Sequence, residues 1–275
     1  MMGDQTNQAV LRDLQRVLAG FASEIAQFCI RNDIKFYLMG GTALGAIRHG
    51  GFIPWDDDFD IFMDRNNYVR FLQLAEELLD QDKYYLQVED TDEWPLFFSK
   101  VRLNQTLYVE RKEDLGRMHC GVYIDVMCLH NVYNNKMLRY LQFIAARVLS
   151  TMALAKRGYK TTSTFKRLSL VIASLLGRTP IKFILLGFVR SLDYRETALV
   201  GHLFGRAPFR STSFPRAFLG GGRIVPFGDT KFPVPNRVEE YLTIRFGCDY
   251  MAVPSDETRN IYPRHLISLD LGPYA

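Results

Sequence analysis

Cysteine is scarce in this chain. Cys29, Cys120, Cys128 and Cys248 are scattered over 275 residues, a usage that argues against a disulfide framework and reads as free thiols in a reducing compartment. Long apolar runs are missing too. No stretch of about 18 or more apolar residues lacks a charge, so no transmembrane helix is expected. The opening MMGDQTNQAV lacks the basic-then-apolar order of a secretion signal. Charge of one sign is not in large excess: the formal net charge is +4, which demands no nucleic acid, and none is expected as a partner. Internal repeats and low-complexity linkers are absent. With 48% hydrophobic and 23% charged residues, the chain suits a cytoplasmic globular protein of one large domain, or one domain with an elaboration.

One stretch carries most of the chemistry, Gly40-Gly41-Thr42-Ala43-Leu44-Gly45-Ala46-Ile47-Arg48-His49-Gly50-Gly51-Phe52-Ile53-Pro54-Trp55-Asp56-Asp57-Asp58-Phe59-Asp60-Ile61-Phe62-Met63. Two unit charges about 4 Å apart repel by roughly 4 kcal/mol at an effective dielectric near 20. Crowded carboxylates therefore call for divalent cations or raised pKa values. Asp58 and Asp60 are two apart on an expected strand from Phe59 to Met63, so both point to one face and can reach one metal. Phe59 and Ile61 then point into a core. The glycine pair and Thr42, between a strand at 34–39 and a short helix at 42–48, can offer backbone N–H groups and a hydroxyl to a phosphate. A phosphate cradle beside a metal-binding acid pair is equipment for phosphoryl or nucleotidyl transfer.

Elsewhere the pattern predicts a mixed α and β chain. Leu11, Leu14, Leu18, Phe21, Ile25 and Phe28 recur at helical spacing in a helix ending near Arg31. A second helix is expected from an Asn66 cap to Leu79. Short strands are expected at 84–88, 97–101 and 106–110. The segment from His119 to His130 reads as a strand holding one acid, Asp125, among apolar neighbours. A buried acid is expensive unless used. It is a candidate third metal ligand or general base, on a strand beside Asp58 and Asp60; the alternative is a structural acid bonded to backbone or arginine. Zinc held by Cys120 and Cys128 is disfavoured. Eight strand steps separate them by roughly 26 Å, against a zinc–sulfur bond of about 2.3 Å; the objection lapses if the segment is no strand.

From Lys136 to Arg195 apolar helical stretches alternate with basic residues, among them Arg139, Arg147, Lys156, Arg157, Lys182 and Arg190. Lys160, Lys166, Arg167 and Arg178 extend the series. Gly177-Arg178-Thr179-Pro180 breaks it, and a helix is expected to start at Pro180-Ile181. This reads as a helical insertion with solvated charges, or as a surface for an anionic membrane or a phosphate-rich acceptor. A hairpin is expected from Arg223 to Val234 around Gly228-Asp229. A helix from Val238 to Phe246 should stop at Gly247. The segments are read as a catalytic core at 1–135, a basic helical insertion at 136–206 and a C-terminal hairpin and helix at 207–275.

The run GGTALGAIRHGGFIPWDDDFDIFM, with Ile124-Asp125-Val126 and the closing PFGDTKFPVPNRVEEYLTIRFGCDYMAVP, resembles the LicD family, whose relatives include fukutin and fukutin-related protein. Cys128-Leu129-His130 departs from that family's frequent proline, leucine and acid. The resemblance implies an α+β nucleotidyltransferase fold: a mixed sheet flanked by helices, with the insertion added. It implies a transferase that moves phosphocholine or a similar alcohol phosphate from CDP-choline or another CDP-alcohol to a hydroxyl of a glycan or glycolipid, releasing CMP. Teichoic acid, lipopolysaccharide or capsule would each serve as acceptor. In that reading Asp58, Asp60 and Asp125 hold Mg²⁺ or Mn²⁺, with Asp56 auxiliary. Gly40, Gly41 and Thr42 hold phosphate, and Arg48 and Lys100 are its charge partners, with Arg102 a weaker candidate. Trp55 either packs in the core or stacks on a base or ammonium group. The alternatives are a nucleotidyltransferase consuming a nucleoside triphosphate, and a non-catalytic glycan- or membrane-binding module.

Overall fold

The computed structural model describes residues 2–159, 163, 170–171, 180–255 and 266–275, with side chains from residue 8 onward. Lys160, Lys166, Arg167 and Arg178 lie outside the described residues, as does the break at 177–179. The first helix, α1 (Met2–Arg31), lays its Leu14, Leu18, Phe21 and Ile25 stripe into the main core. Next come β1 (Tyr37–Leu38), α2 (Gly40–His49), β2 (Asp60–Asp64) and α3 (Arg65–Leu78). Short strands β3 (Tyr84–Gln87), β4 (Ser99–Leu103) and β5 (Leu107–Val109) lead to the long β6 (Tyr123–Val132).

The sheet is mixed, in the order β1-β2-β6-β4-β3. Strand β2 runs parallel to β6, whereas β1 on β2, β4 on β6 and β3 on β4 are antiparallel. After β6 the chain forms α4 (Lys136–Lys156) and α5 (Ile181–Val189), which pack on each other over a second small core of Leu149, Met152 and Val189. It returns to the sheet as β7 (Leu199–Gly201), paired with the far end of β6, and β8 (Ser213–Pro215), with the short α6 (Phe209–Thr212) between them. The hairpin of β9 (Arg223–Phe227) and β10 (Thr230–Val234) turns at Gly228-Asp229, with Gly228 at φ 57°. Helix α7 (Val238–Phe246) ends at Gly247, φ 100°. Strand β11 (Ser268–Asp270) pairs with β5.

Several boundaries differ from the sequence expectation for local reasons. The first strand keeps two paired residues, because the Lys35 N–H donates to the Asn67 side chain at 2.8 Å instead of to a ladder. Helix α3 is capped by Asp64, whose carboxylate accepts from the Asn67 N–H at 2.9 Å; Asn66 lies inside the helix. Strand β4 starts at Ser99, two residues later than expected. Strand β6 starts at Tyr123: the Gly121 N–H is turned onto His119 Nδ1 at 3.1 Å, and a Cβ at Gly121 would stand 2.2 Å from the Leu103 carbonyl. Cys120 therefore lies outside the strand, and the spacing that separated it from Cys128 does not apply. Strand β6 runs on through His130, which is fully buried with Nδ1 at 3.2 Å from Asp193.

Candidate active site

The acids are placed by three neighbours. Gln15 of α1 donates its amide to the Ile53 and Asp56 carbonyls at 3.2 and 2.7 Å, which fixes the loop entering the acid run. Phe59 is fully buried against Phe52, Phe227 and Phe232, so the hairpin clamps the residue between Asp58 and Asp60. Ile61 is buried on the same side. Asp58 is the last but one residue before β2, and Asp60 is its first. Asp60 and Asp125 are register partners across the parallel pair, and the Asp125 N–H donates to the Phe59 carbonyl at 3.0 Å.

The glycine turn stands over these acids. Gly40 adopts φ 61°, and a Cβ there would lie 3.6 Å from Asp60 Oδ2. At Gly41 a Cβ would lie 3.1 Å from Asp56 Oδ2. A side chain at Gly41 would press on the Asp56 carboxylate, and one at Gly40 would strain the backbone. The Thr42 hydroxyl accepts from the Asp60 N–H at 2.9 Å and keeps its own proton to donate. The Gly40 N–H is already used, donating to the Tyr241 hydroxyl at 2.9 Å. Asp57 points elsewhere, accepting from the Tyr108 hydroxyl at 2.9 Å.

Electrostatics set the acids apart. Burial, reinforced by Asp56, Asp60 and Asp125, pushes the Asp58 carboxyl well above its ordinary range. Burial, then Asp125 and Asp56, does the same to Asp60, and Lys100 and Arg245 only partly offset it. Asp60 Oδ1 is buried with no hydrogen-bond partner. Such a group is costly, and a cation or a proton relieves it. Carboxylate oxygens alone suit a hard cation such as Mg²⁺ or Mn²⁺, so the donor set fits one. Among the described residues, no three His, Cys, Asp or Glu side chains are drawn together closely enough to enclose an ion.

The expected cations divide. Lys100, register partner of Asp125, is bonded to its carboxylate and lies 3.2 Å from the Tyr123 ring centroid. Burial pulls its ammonium down to about 8 against the opposing pull of Asp125. Arg102 is buried and bonded to Gln87 at 2.9 Å and the Gly121 carbonyl at 2.8 Å. Arg48 donates to the Tyr250 and Ala252 carbonyls at 3.0 and 3.1 Å, on the C-terminal segment. Trp55 is half-buried against the main core and edge-on to His49. Sequence reasoning missed Tyr241 and Arg245 of α7. Their spacing of four residues, which aligns them on one helix face, was a signal, but only the packing of α7 on α2 brings that face to the glycine turn.

Acids at the start of two parallel strands, facing a glycine-opened helix on a mixed sheet, form a nucleotidyltransferase-like arrangement. Residues 33–120 match the model of the LicD/FKTN/FKRP nucleotidyltransferase domain. Over these residues the chain is similar to that family. It is similar to the lipopolysaccharide cholinephosphotransferase LicD of Haemophilus influenzae, with 26% identity over 267 residues, 93% of this chain and 96% of that protein. An uncharacterized protein of Rickettsia prowazekii is 31% identical over 114 residues, 40% of this chain and 34% of its own length. An uncharacterized protein of Rickettsia typhi is 46% identical over 44 residues, 16% and 14% of the two chains. This likeness supports, in general terms, a nucleotidyl- or phosphotransferase acting on a nucleotide-activated donor and a glycan acceptor by a metal-dependent mechanism. Among the described residues no helix is long and apolar enough to cross a membrane.

Proposed function

We propose that this protein is a phosphotransferase that moves phosphocholine, or a similar alcohol phosphate, from a CDP-activated donor to a glycan hydroxyl, releasing CMP. The observation that carries the reading is the register pairing of Asp60 with Asp125 beneath the glycine turn. Asp58, Asp60 and Asp125 would hold Mg²⁺ or Mn²⁺, with Asp56 auxiliary. When bound, the ion supplies charge neutralisation and alignment of nucleophile and leaving group. The Gly41 N–H and the Thr42 hydroxyl remain to donate to a phosphate oxygen. The acceptor oxygen attacks the phosphorus that carries the alcohol, and the bond from that phosphorus to the CMP oxygen breaks. As the alternative to holding metal, Asp125 would take the hydroxyl proton; Lys100 is bonded to its carboxylate. In this reading segment 1–135 supplies the acids, 136–206 buttresses them and 207–275 closes the glycine turn. The work is done in the cytoplasm, where nucleotide-activated donors are made.

A panel of CDP-alcohols and CTP, incubated with a glycan acceptor and Mg²⁺ and scored for CMP and pyrophosphate, tests the reading. CMP release from CDP-choline or another CDP-alcohol is expected. Pyrophosphate from CTP alone would replace it with nucleotidyl transfer. Consumption of no donor would leave a binding module.

A further inference from the structure

A second group of charges sits at the other end of β2. Asp60 opens that strand and Arg65 follows its last residue, so the four strand steps from Asp60 to Asp64, roughly 13 Å, set them apart. Arg65, Val69 and Leu72 fall on one face of α3, at the i, i+4, i+7 spacing of a helix stripe. Val88, Glu89 and Asp90, just after β3, and Arg190, at the end of α5, complete with them the lining of an open cavity of about 400 Å³.

Glu89 is the fixed point of this cavity, and only 9% of it is exposed. Its backbone N–H donates to the Ser99 hydroxyl at 3.0 Å, which in turn is 2.8 Å from the Tyr68 hydroxyl. Its Oε1 accepts from the Arg190 guanidinium at 2.8 Å and lies 3.8 Å from that of Arg65, whose Nε is 3.5 Å from Asp193. The Glu89 Oε2 is buried with no hydrogen-bond partner, and so is the Arg190 Nε. One unused acceptor and one unused donor therefore stand on two residues already bonded to each other. Leaving both unpaired costs free energy.

The chemistry of the lining specifies what relieves them. Two guanidiniums, of Arg65 and Arg190, face two carboxylates, of Glu89 and Asp90. These charges balance, and a charged ligand would bring one with no counterpart. A hydroxyl group both donates and accepts, so it serves the unused pair at once. A water molecule does so too, but its share of space is about 30 Å³. That leaves most of the cavity and its apolar wall of Val69, Leu72 and Val88 unused. A ring or chain with hydroxyls on its edge and C–H groups on its face fits both parts.

We propose that this cavity, between α3, the loop after β3 and the end of α5, binds a neutral polyhydroxyl ligand, a sugar ring or a polyol. It shares no residue with the acid cluster or the glycine turn. It rests on the proposed transferase reading only for the source of that ligand, a sugar unit of the glycan acceptor.

Ligand-observed NMR on the full chain tests it, with methyl glucoside, methyl galactoside and glucitol as probes and inorganic phosphate as the charged comparison. Saturable binding of at least one neutral probe is expected. Val69→Phe, which fills the cavity from a half-buried position, should abolish it. Arg190→Gln should weaken it about 10-fold, the usual size of a lost hydrogen bond to a charged group. Melting curves establish that each variant is folded. Val69→Phe carries the test if Arg190→Gln, which strips Glu89 of its partner, does not fold. Failure of every neutral probe to bind the unmodified protein, or unchanged binding by folded Val69→Phe, would overturn the site. Phosphate binding that Val69→Phe removes, with no sugar or polyol bound, would overturn its neutral character. A raised acceptor KM at constant kcat in Val69→Phe would assign the ligand to the acceptor, and an unchanged KM would assign it to a free sugar or polyol. Sugar binding that Val69→Phe removes, in a protein that consumes no CDP-alcohol, would defeat the transferase reading and leave the site standing.

Discussion

The acid cluster and the helical insertion treat charge in opposite ways. At the cluster, like charges are packed together and partly buried, and Asp60 Oδ1 has no partner. Among the described residues of the insertion, several basic side chains are matched. Arg157 is bonded to buried Asp114 at 2.6 Å and stacks over Trp94, Arg190 meets Glu89 at 2.8 Å, and Lys182 meets Asp90. Lys156 reaches exposed Asp92, and Arg139 binds the Tyr133 and Asn134 carbonyls. The insertion is thus fastened to acids of the core. Arg157, Arg190, Lys182, Lys156 and Arg139 are committed to partners within the molecule. Apolar side chains stand exposed there too: Met137, Phe183 and Ile184 are each more than two-thirds exposed.

The contrast is sharpest in variants that neutralise one acid. Asp58→Asn and Asp60→Asn should abolish CMP release and, without metal, leave the protein at least as stable, since each removes a repelling charge and no core volume. Normal turnover at ordinary Mg²⁺, measured beside a melting curve, would place these acids among structural groups.

Asp125 stands between the two regions, because it belongs to the cluster yet owns a counter-charge in Lys100. Asp125→Asn should keep donor binding and lose about 10²- to 10⁴-fold in kcat, the usual range for general-base help. A less stable variant with kcat intact would show that the pair is only structural.

Arg157→Ala should do the reverse of Asp60→Asn. It leaves Asp114 buried without its partner, which costs about 3 kcal/mol of stability, while kcat per folded molecule holds. Denaturant melts paired with activity measure both. A loss of kcat without loss of stability would draw the insertion into the chemistry.

The smallest effect is a slope. The Asp58 and Asp60 carboxyls titrate above their ordinary 3.8 in the native chain. The native state therefore holds protons that the unfolded chain has released, and this contribution to stability is lost as pH rises from 3.8 toward the raised native values. Metal-free protein should melt at progressively lower temperature across that window. Mg²⁺ should restore stability at neutral pH, and Asp60→Asn should flatten both trends. Identical pH profiles for the unmodified protein and Asp60→Asn would mean that Asp60 has an ordinary pKa.

Elements with one strong local cause were legible in the sequence. The apolar stripe of α1 is a helical period over a long stretch. The β9–β10 turn follows from Gly228-Asp229, and the end of α7 from Gly247. Alternation placed Phe59 and Ile61 in the core and turned Asp58 and Asp60 away from it. Elements decided by a competing partner were misread. Asp64 took the α3 cap because its carboxylate reaches the Asn67 N–H, and β1 was cut short because Lys35 found the same asparagine.

By itself the sequence determined which residues are proposed to carry the chemistry: the glycine turn, the acid run and the lone acid of β6. Local spacing fixes which side chains share a face, and it needs no distant partner. Only the tertiary structure decided what faces them. Asp60 meets Asp125 through a parallel pairing across more than 60 residues, Lys100 turns to Asp125, and Arg48 turns to the Tyr250 and Ala252 carbonyls. Tyr241 arrives at Gly40 from 201 residues away. Which cation meets which anion depends on how the sheet and helices pack, because charge acts through space and a linear pattern carries no record of the distances.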